Sequence, residues 1–153
     1  MREHVHENII LIDRPLAAVH AYVSQPWRWH EWHPASESAS GAQARLAVGG
    51  QFDETVSMKP VPMLPIRIRQ HLRWTVLESV APHLLVMKAT SSMIDVHVRY
   101  EIDRLDTTRF RRVFRFQVKG WLAHVEQYFM PARMRKQSIV AMRNLKRVLE
   151  ADE

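Results

Sequence analysis

Three side chains stand out because their chemistry conflicts with their spacing. Glu54, Gln70 and Arg112 each fall in phase with apolar neighbours: Glu54 with Phe52 and Val56, Gln70 with Ile68 and Leu72, Arg112 with Phe110 and Phe114. A charge taken out of water without a partner costs several kcal/mol, so each needs a partner, a ligand or water. The spacing places Glu54 and Arg112 inside a pocket, where they orient a polar end of a ligand. The alternative is a slipped phase or a bulge that carries them to a rim. Acid/base chemistry is open to the same set, because an apolar site raises a carboxyl pKa toward a useful range. Glu54 would then be the base, with Tyr100, His97 or Arg112 assisting.

A second cluster is the run Trp27-Arg28-Trp29-His30-Glu31-Trp32-His33-Pro34. Trp29 and Trp32 are three apart and share a helix face, with Trp27 pointing elsewhere. One of the first two is expected to plug an end of the pocket. His30 and His33 invite a metal reading, but the zinc-protease pattern needs histidines four apart. These are three apart with no third ligand evident, so no metal is expected. No nucleophile elbow, phosphate loop or dinucleotide fingerprint occurs, and four glycines are too few for a phosphate cradle. No cofactor is expected.

The elements that must hold these residues are legible from periodicity. Val5 to Asp13 reads as a first strand. Pro15 suits the first turn of a helix with Asp13 or Arg14 near its cap, and Gln25-Pro26 stops that helix. The tryptophan segment makes a second short helix. From Ser36 to Lys119 the period is two, with even-numbered positions apolar over 52–58, 66–76, 94–102 and 110–118. Such alternation means antiparallel strands with one covered face. Gly49-Gly50, Ala81-Pro82-His83 and Asp106-Thr107-Thr108 supply turns. Pro131 either starts or kinks a final helix, in which Ser138, Ala141, Met142, Leu145, Val148 and Leu149 form one stripe. The expected class is α+β: a curved antiparallel sheet of six to seven strands around a long C-terminal α-helix, with two short helices after strand 1.

The chain has 153 residues, the size of one domain, and a single domain over 1–153 is expected. It has no cysteine, which removes disulfides, thiolate nucleophiles and cysteine zinc sites. The polar N-terminus and short apolar runs leave no signal peptide or membrane span, so a cytoplasmic chain without membrane insertion is expected. The net charge of +6 is spread along strands and the last helix and mixed with acids. That reads as a solvated surface, with Arg67, Arg69, Arg73, Arg99, Arg111 and Arg115 opposite Asp95, Glu101 and Asp103, rather than a nucleic-acid site.

In this order, four stretches resemble the START/SRPBCC superfamily of helix-grip, polyketide cyclase/dehydrase-like proteins. They are Ile12-Asp13-Arg14-Pro15; Trp29-His30-Glu31-Trp32-His33-Pro34; Val48-Gly49-Gly50-Gln51-Phe52; and Asn144-Leu145-Lys146-Arg147-Val148-Leu149-Glu150. The resemblance implies a cavity between the concave sheet and the last helix. Members carry lipids, sterols, quinones or aromatic polyketides there, and a minority catalyse cyclisation or dehydration.

The expected ligand wall is Trp29, Trp32, Phe52, Glu54, Met58, Gln70, Trp74, Tyr100, Arg112, Phe114, Phe129 and Met134. The expected function is binding of an apolar small molecule such as a lipid, quinone or aromatic polyketide, with transport as its extension. The alternatives are a cyclase/dehydratase-type enzyme working through Glu54, and a protein-interaction module of the same fold. A monomer or homodimer is expected. The segment Met58 to Pro65, with three prolines and apolar neighbours, is expected over the pocket mouth or against a partner.

Overall fold

The computed structural model describes residues 3–42, 46–58, 63–120 and 130–151. Their order is β1 (Glu3–Ile12), α1 (Leu16–Val23), a 3-10 helix (Pro26–Glu31), β2 (Ser36–Ser40), β3 (Gln51–Met58), β4 (Ile68–Val80), β5 (Leu84–Thr90), β6 (Ile94–Arg104), β7 (Thr108–Val118) and α2 (Met130–Ala151). The seven strands form one antiparallel sheet in the order β1-β7-β6-β5-β4-β3-β2. The long terminal helix lies against it, which is the helix-grip α+β architecture.

The two-residue alternation becomes the two sheet faces. In β6, Ile94, Val96, Val98, Tyr100 and Ile102 are buried and the residues between them are not. Their counterparts in β4 and β7 are Gln70, Leu72, Trp74 and Val76, and Phe110, Arg112, Phe114, Phe116 and Val118. The α2 stripe of Ala141, Met142, Leu145 and Leu149 closes the core over this face. The C-terminal half of helix α2 is tied down at two points. Asn144 donates to the Trp32 carbonyl, and Glu150 accepts from the Asp13 backbone N–H at 2.8 Å.

Three local expectations shift. Strand β1 starts earlier and ends at Ile12. Pro15 is the N-cap rather than part of the first turn, because its ψ of 143° is extended, and no side chain caps the helix. Strand β4 begins at Ile68, leaving Ile66 exposed. Pro131 lies in the first turn of α2, where its missing N–H costs nothing, and so begins the helix. The turn into β3 depends on its glycines. Gly49 has a φ of +84°, and a Cβ on Gly50 would meet the Ala47 carbonyl oxygen at 2.9 Å.

The outer face explains the basic residues as cross-strand ion pairs. Arg73 opposes Asp53, Arg111 opposes Glu101, and Arg109 opposes Asp103 in register, and each pair is an ion pair. Both partners of the Arg73–Asp53 pair are about half exposed, with side-chain exposures of 54% and 52%. Exposed pairs contribute little. Replacing Arg73 by alanine is expected to lower unfolding free energy by less than ~1 kcal/mol in urea titration; a larger loss would show that the ladder holds the sheet together.

Candidate functional site

A cavity lies between the concave sheet face, the 3-10 helix and the first turns of α2. Its wall is mostly apolar, with Leu72, Val96 and Val98 on central strands and Phe114 on β7. Trp29 lies in the 3-10 helix and Trp32 is its C-cap, three residues on, so that both reach the cavity from one side. Both are buried, whereas Trp27 is 39% exposed. The cavity volume is about 70 Å³. That is several times the ~10–15 Å³ a single water needs, but smaller than the ~150 Å³ cavity known to take benzene. Met58 and Met134 line it, and their flexible side chains are the parts of the wall most able to give way.

Two ionisable groups face this space from opposite parts of the sheet. Glu54 on β3 is 5% exposed. One of its carboxylate oxygens accepts from the Trp74 indole N–H at 3.0 Å, a diagonal cross-strand contact. Burial pushes its carboxyl up to about 7, against the pull of Ser36, Trp74 and the Arg112 charge. Arg112 on β7 is 3% exposed and sits directly across from Tyr100 on β6. Its guanidinium lies 4.6 Å from the Phe114 ring centroid. It donates to Ser138 Oγ at 3.3 Å, approaches His33 Nε2 at 3.4 Å, and leaves its own Nε without a partner among the described residues. Among the described residues no carboxylate lies within the 4.0 Å of an ion pair with it. Burial pushes the Tyr100 phenol up to about 12 and the His33 imidazole down to about 3, the latter helped by the Arg112 charge. Both are neutral at ordinary pH.

Of the residues singled out in the sequence, Trp29, Trp32, Glu54, Met58, Gln70, Trp74, Tyr100, Arg112, Phe114 and Met134 line the cavity. Phe52 does not. It stacks behind Trp74 at a centroid distance of 6.0 Å, with Trp29 against its edge, and so supports the wall from outside. Phe129 and Val125 lie outside the described residues. His97 is on the outer face of β6, opposite in phase to Tyr100, and does not reach Glu54. Gln70 is satisfied locally, by Ser91 Oγ and by the sulfur of Met58. Of the proline-rich segment, Met58 lines the cavity, 59–62 lie outside the described residues, and Met63 and Leu64 are exposed.

Sequence reasoning missed four polar members, of which Ser57 is held by Arg67 at 3.4 Å. His33 drew attention as half of a metal pair, yet it turns inward to Arg112 while His30 stays exposed. Arg133 and Gln137 lie one turn apart on α2 and flank Met134. Their spacing of four, straddling an apolar position, was the available signal.

A family described as polyketide cyclase / dehydrase and lipid transport matches residues 3–150. The chain belongs to this family. Solved structures share the fold of this family member. A START superfamily protein from Mycobacterium smegmatis superposes with a TM-score of 0.67 at 14% identity, covering 97% of this chain and 96% of that one. The di-domain ARO/CYC BexL gives 0.67 at 14%, covering 97% of this chain and 50% of that one. A protein from Chromobacterium violaceum gives 0.70 at 11%, covering 96% and 98%. Identities this low establish the START/SRPBCC fold and nothing finer. No curated protein matches the chain. Among the described residues no helix is long and apolar enough to cross a membrane.

Proposed function

We propose that this family member binds an apolar small molecule in the cavity under α2, with Glu54 and Arg112 holding its polar atoms. The observation that carries the reading is the pairing of an apolar wall with two buried ionisable groups that do not neutralise each other by contact. A dry core would avoid both. The small volume favours a short chain or a single ring, with the two methionines moving aside, over a multi-ring polyketide.

Native mass spectrometry of the gently purified protein, followed by solvent extraction, tests this. A co-purifying apolar compound is the expected result. Trp29, Trp32 and Trp74 all line the space, so its displacement or addition is expected to shift the tryptophan emission. Replacing Trp74 by phenylalanine should shrink that response. A protein that carries nothing, and whose emission no apolar compound changes, would remove the reading.

A second reading, proton transfer to or from the bound molecule, is favoured by one observation. The Glu54 carboxyl, pushed up to about 7, is poised near neutral pH beside open space. Its hydrogen-bonding neighbours among the described residues, the Trp74 indole and the Ser36 hydroxyl, position the carboxyl and do not titrate near neutral pH. On this reading a Glu54→Gln protein keeps its ligand and loses turnover. Retained turnover rules it out.

A further inference from the structure

Two unmatched polar atoms on residues that line the cavity are of one kind. Trp32 Nε1 and Arg112 Nε are both buried hydrogen-bond donors without partners among the described residues. Each belongs to a residue lining the same space, and both residues are at least nine-tenths buried. Two acceptors of the wall are drawn to other neighbours: one Glu54 oxygen accepts from Trp74, and the Gln70 carbonyl accepts from Ser91.

His33 adds an independent argument. Its ring is neutral and carries one proton. The Ala35 backbone N–H points at Nδ1 from 3.2 Å, and the Arg112 guanidinium points at Nε2 from 3.4 Å. Backbone amide and guanidinium are donors only, so both ring nitrogens face donors while only one can accept. The shorter contact assigns the acceptor role to Nδ1. The proton then sits on Nε2 and opposes the guanidinium, and only an acceptor placed between them satisfies both. The Tyr100 hydroxyl, across the ladder from Arg112 and neutral, can donate to the same place.

The guanidinium is also a buried positive charge with no carboxylate in contact. An acceptor with a negative charge would supply what the protein leaves out, and a planar carboxylate matches the guanidinium fork with two parallel bonds. We propose that the ligand of this cavity is a small apolar carboxylic acid, bound as its anion by Arg112 together with His33 Nε2–H and the Tyr100 hydroxyl. This rests on the cavity being a ligand site, as proposed above, and adds the class of compound.

The test compares matched head groups on two apolar bodies: benzoate, benzamide and benzyl alcohol, and butyrate, butyramide and butanol. Binding to the full chain is read by tryptophan emission and by calorimetry. The expected result is that the carboxylate of at least one body binds at least tenfold more tightly than its amide and its alcohol. Arg112→Met, verified as folded by circular dichroism, is expected to erase that preference, and Arg112→Lys to keep part of it. If the methionine variant does not fold, the head-group preference of the parent and the lysine variant decide.

An amide or alcohol that binds as tightly as its carboxylate overturns the acid inference and leaves the cavity reading standing. If no probe binds but an apolar compound co-purifies, its head group decides: an acid supports the inference and any other group overturns it. No binding by any probe and no co-purifying compound removes both.

Discussion

At pH 8, a Glu54→Gln protein is expected to be more stable than the parent by about 3 kcal/mol. In the folded chain the carboxyl is raised from 4.5 to about 7, mainly because burial penalises the charged form. Below pH 4.5 the carboxyl is protonated in both folded and unfolded states, and it contributes no difference. Between 4.5 and about 7 the unfolded chain has released the proton and the folded chain still holds it. Unfolding is then favoured by each further rise in pH, at about 1.4 kcal/mol per unit. The cost levels off above pH 7, where both states are ionised. Glutamine mimics the protonated side chain and keeps an acceptor for the Trp74 indole, so it escapes this cost. Urea midpoints of parent and variant across pH 4–8 should coincide at the acid end and separate steadily up to about pH 7. Other groups titrate as well, His33 among them, but they are common to both proteins and cancel in the difference. Parallel curves would mean that Glu54 titrates as a solvated carboxyl and that its burial is misjudged.

That prediction depends on a residue the sequence already marked, and the reason is general. Strand alternation fixes which face a side chain occupies, so Glu54, Gln70 and Arg112 were legible as inward-facing from their phase with Phe52, Leu72 and Phe114. The same logic identified Tyr100 as inward and should have excluded His97, its odd-numbered neighbour. Strand pairing was less legible, because the turn at Gly49-Gly50 and the bulge between Val76 and Glu78 set register through backbone geometry. Phe52 shows the limit of face assignment. It is inward as expected, yet a second aromatic layer of Trp29 and Trp74 lies between it and the cavity. Alternation distinguishes in from out, and it does not distinguish a wall from what stands behind it. His33 escaped for a different reason. It lies two residues beyond a short 3-10 helix, and its meeting with Arg112, 79 positions later, is a tertiary contact with no periodic trace.

Arg112→Met is expected to stabilise the unliganded protein by about 1–4 kcal/mol, the range seen when buried charged groups give way to apolar residues of similar size. The guanidinium is 3% exposed, its contacts to Ser138 at 3.3 Å and to His33 at 3.4 Å are long, and the neutral Tyr100 hydroxyl is its remaining hydrogen-bonding neighbour among the described residues. Its Nε has no partner among the described residues. Such a group pays most of the cost of leaving water and recovers little. Methionine has comparable reach, keeps contact with Phe114 and frees Ser138 to bond a helix carbonyl one turn back. The change also removes the positive charge that draws the Glu54 carboxyl downward, so that carboxyl should titrate still higher. At pH 8 the gain from Glu54→Gln should therefore be larger on the methionine background than on the parent. The double variant should exceed the sum of the single gains, and the excess measures the attraction between Glu54 and Arg112 across the cavity. Chemical denaturation of the four proteins at pH 8 reads this directly. A methionine variant destabilised by more than ~1 kcal/mol would show that the guanidinium is well satisfied without a ligand. A buried charge kept at a cost to stability is what a binding residue requires: the unliganded protein is less stable so that the arriving anion meets a guanidinium already in place and already dry.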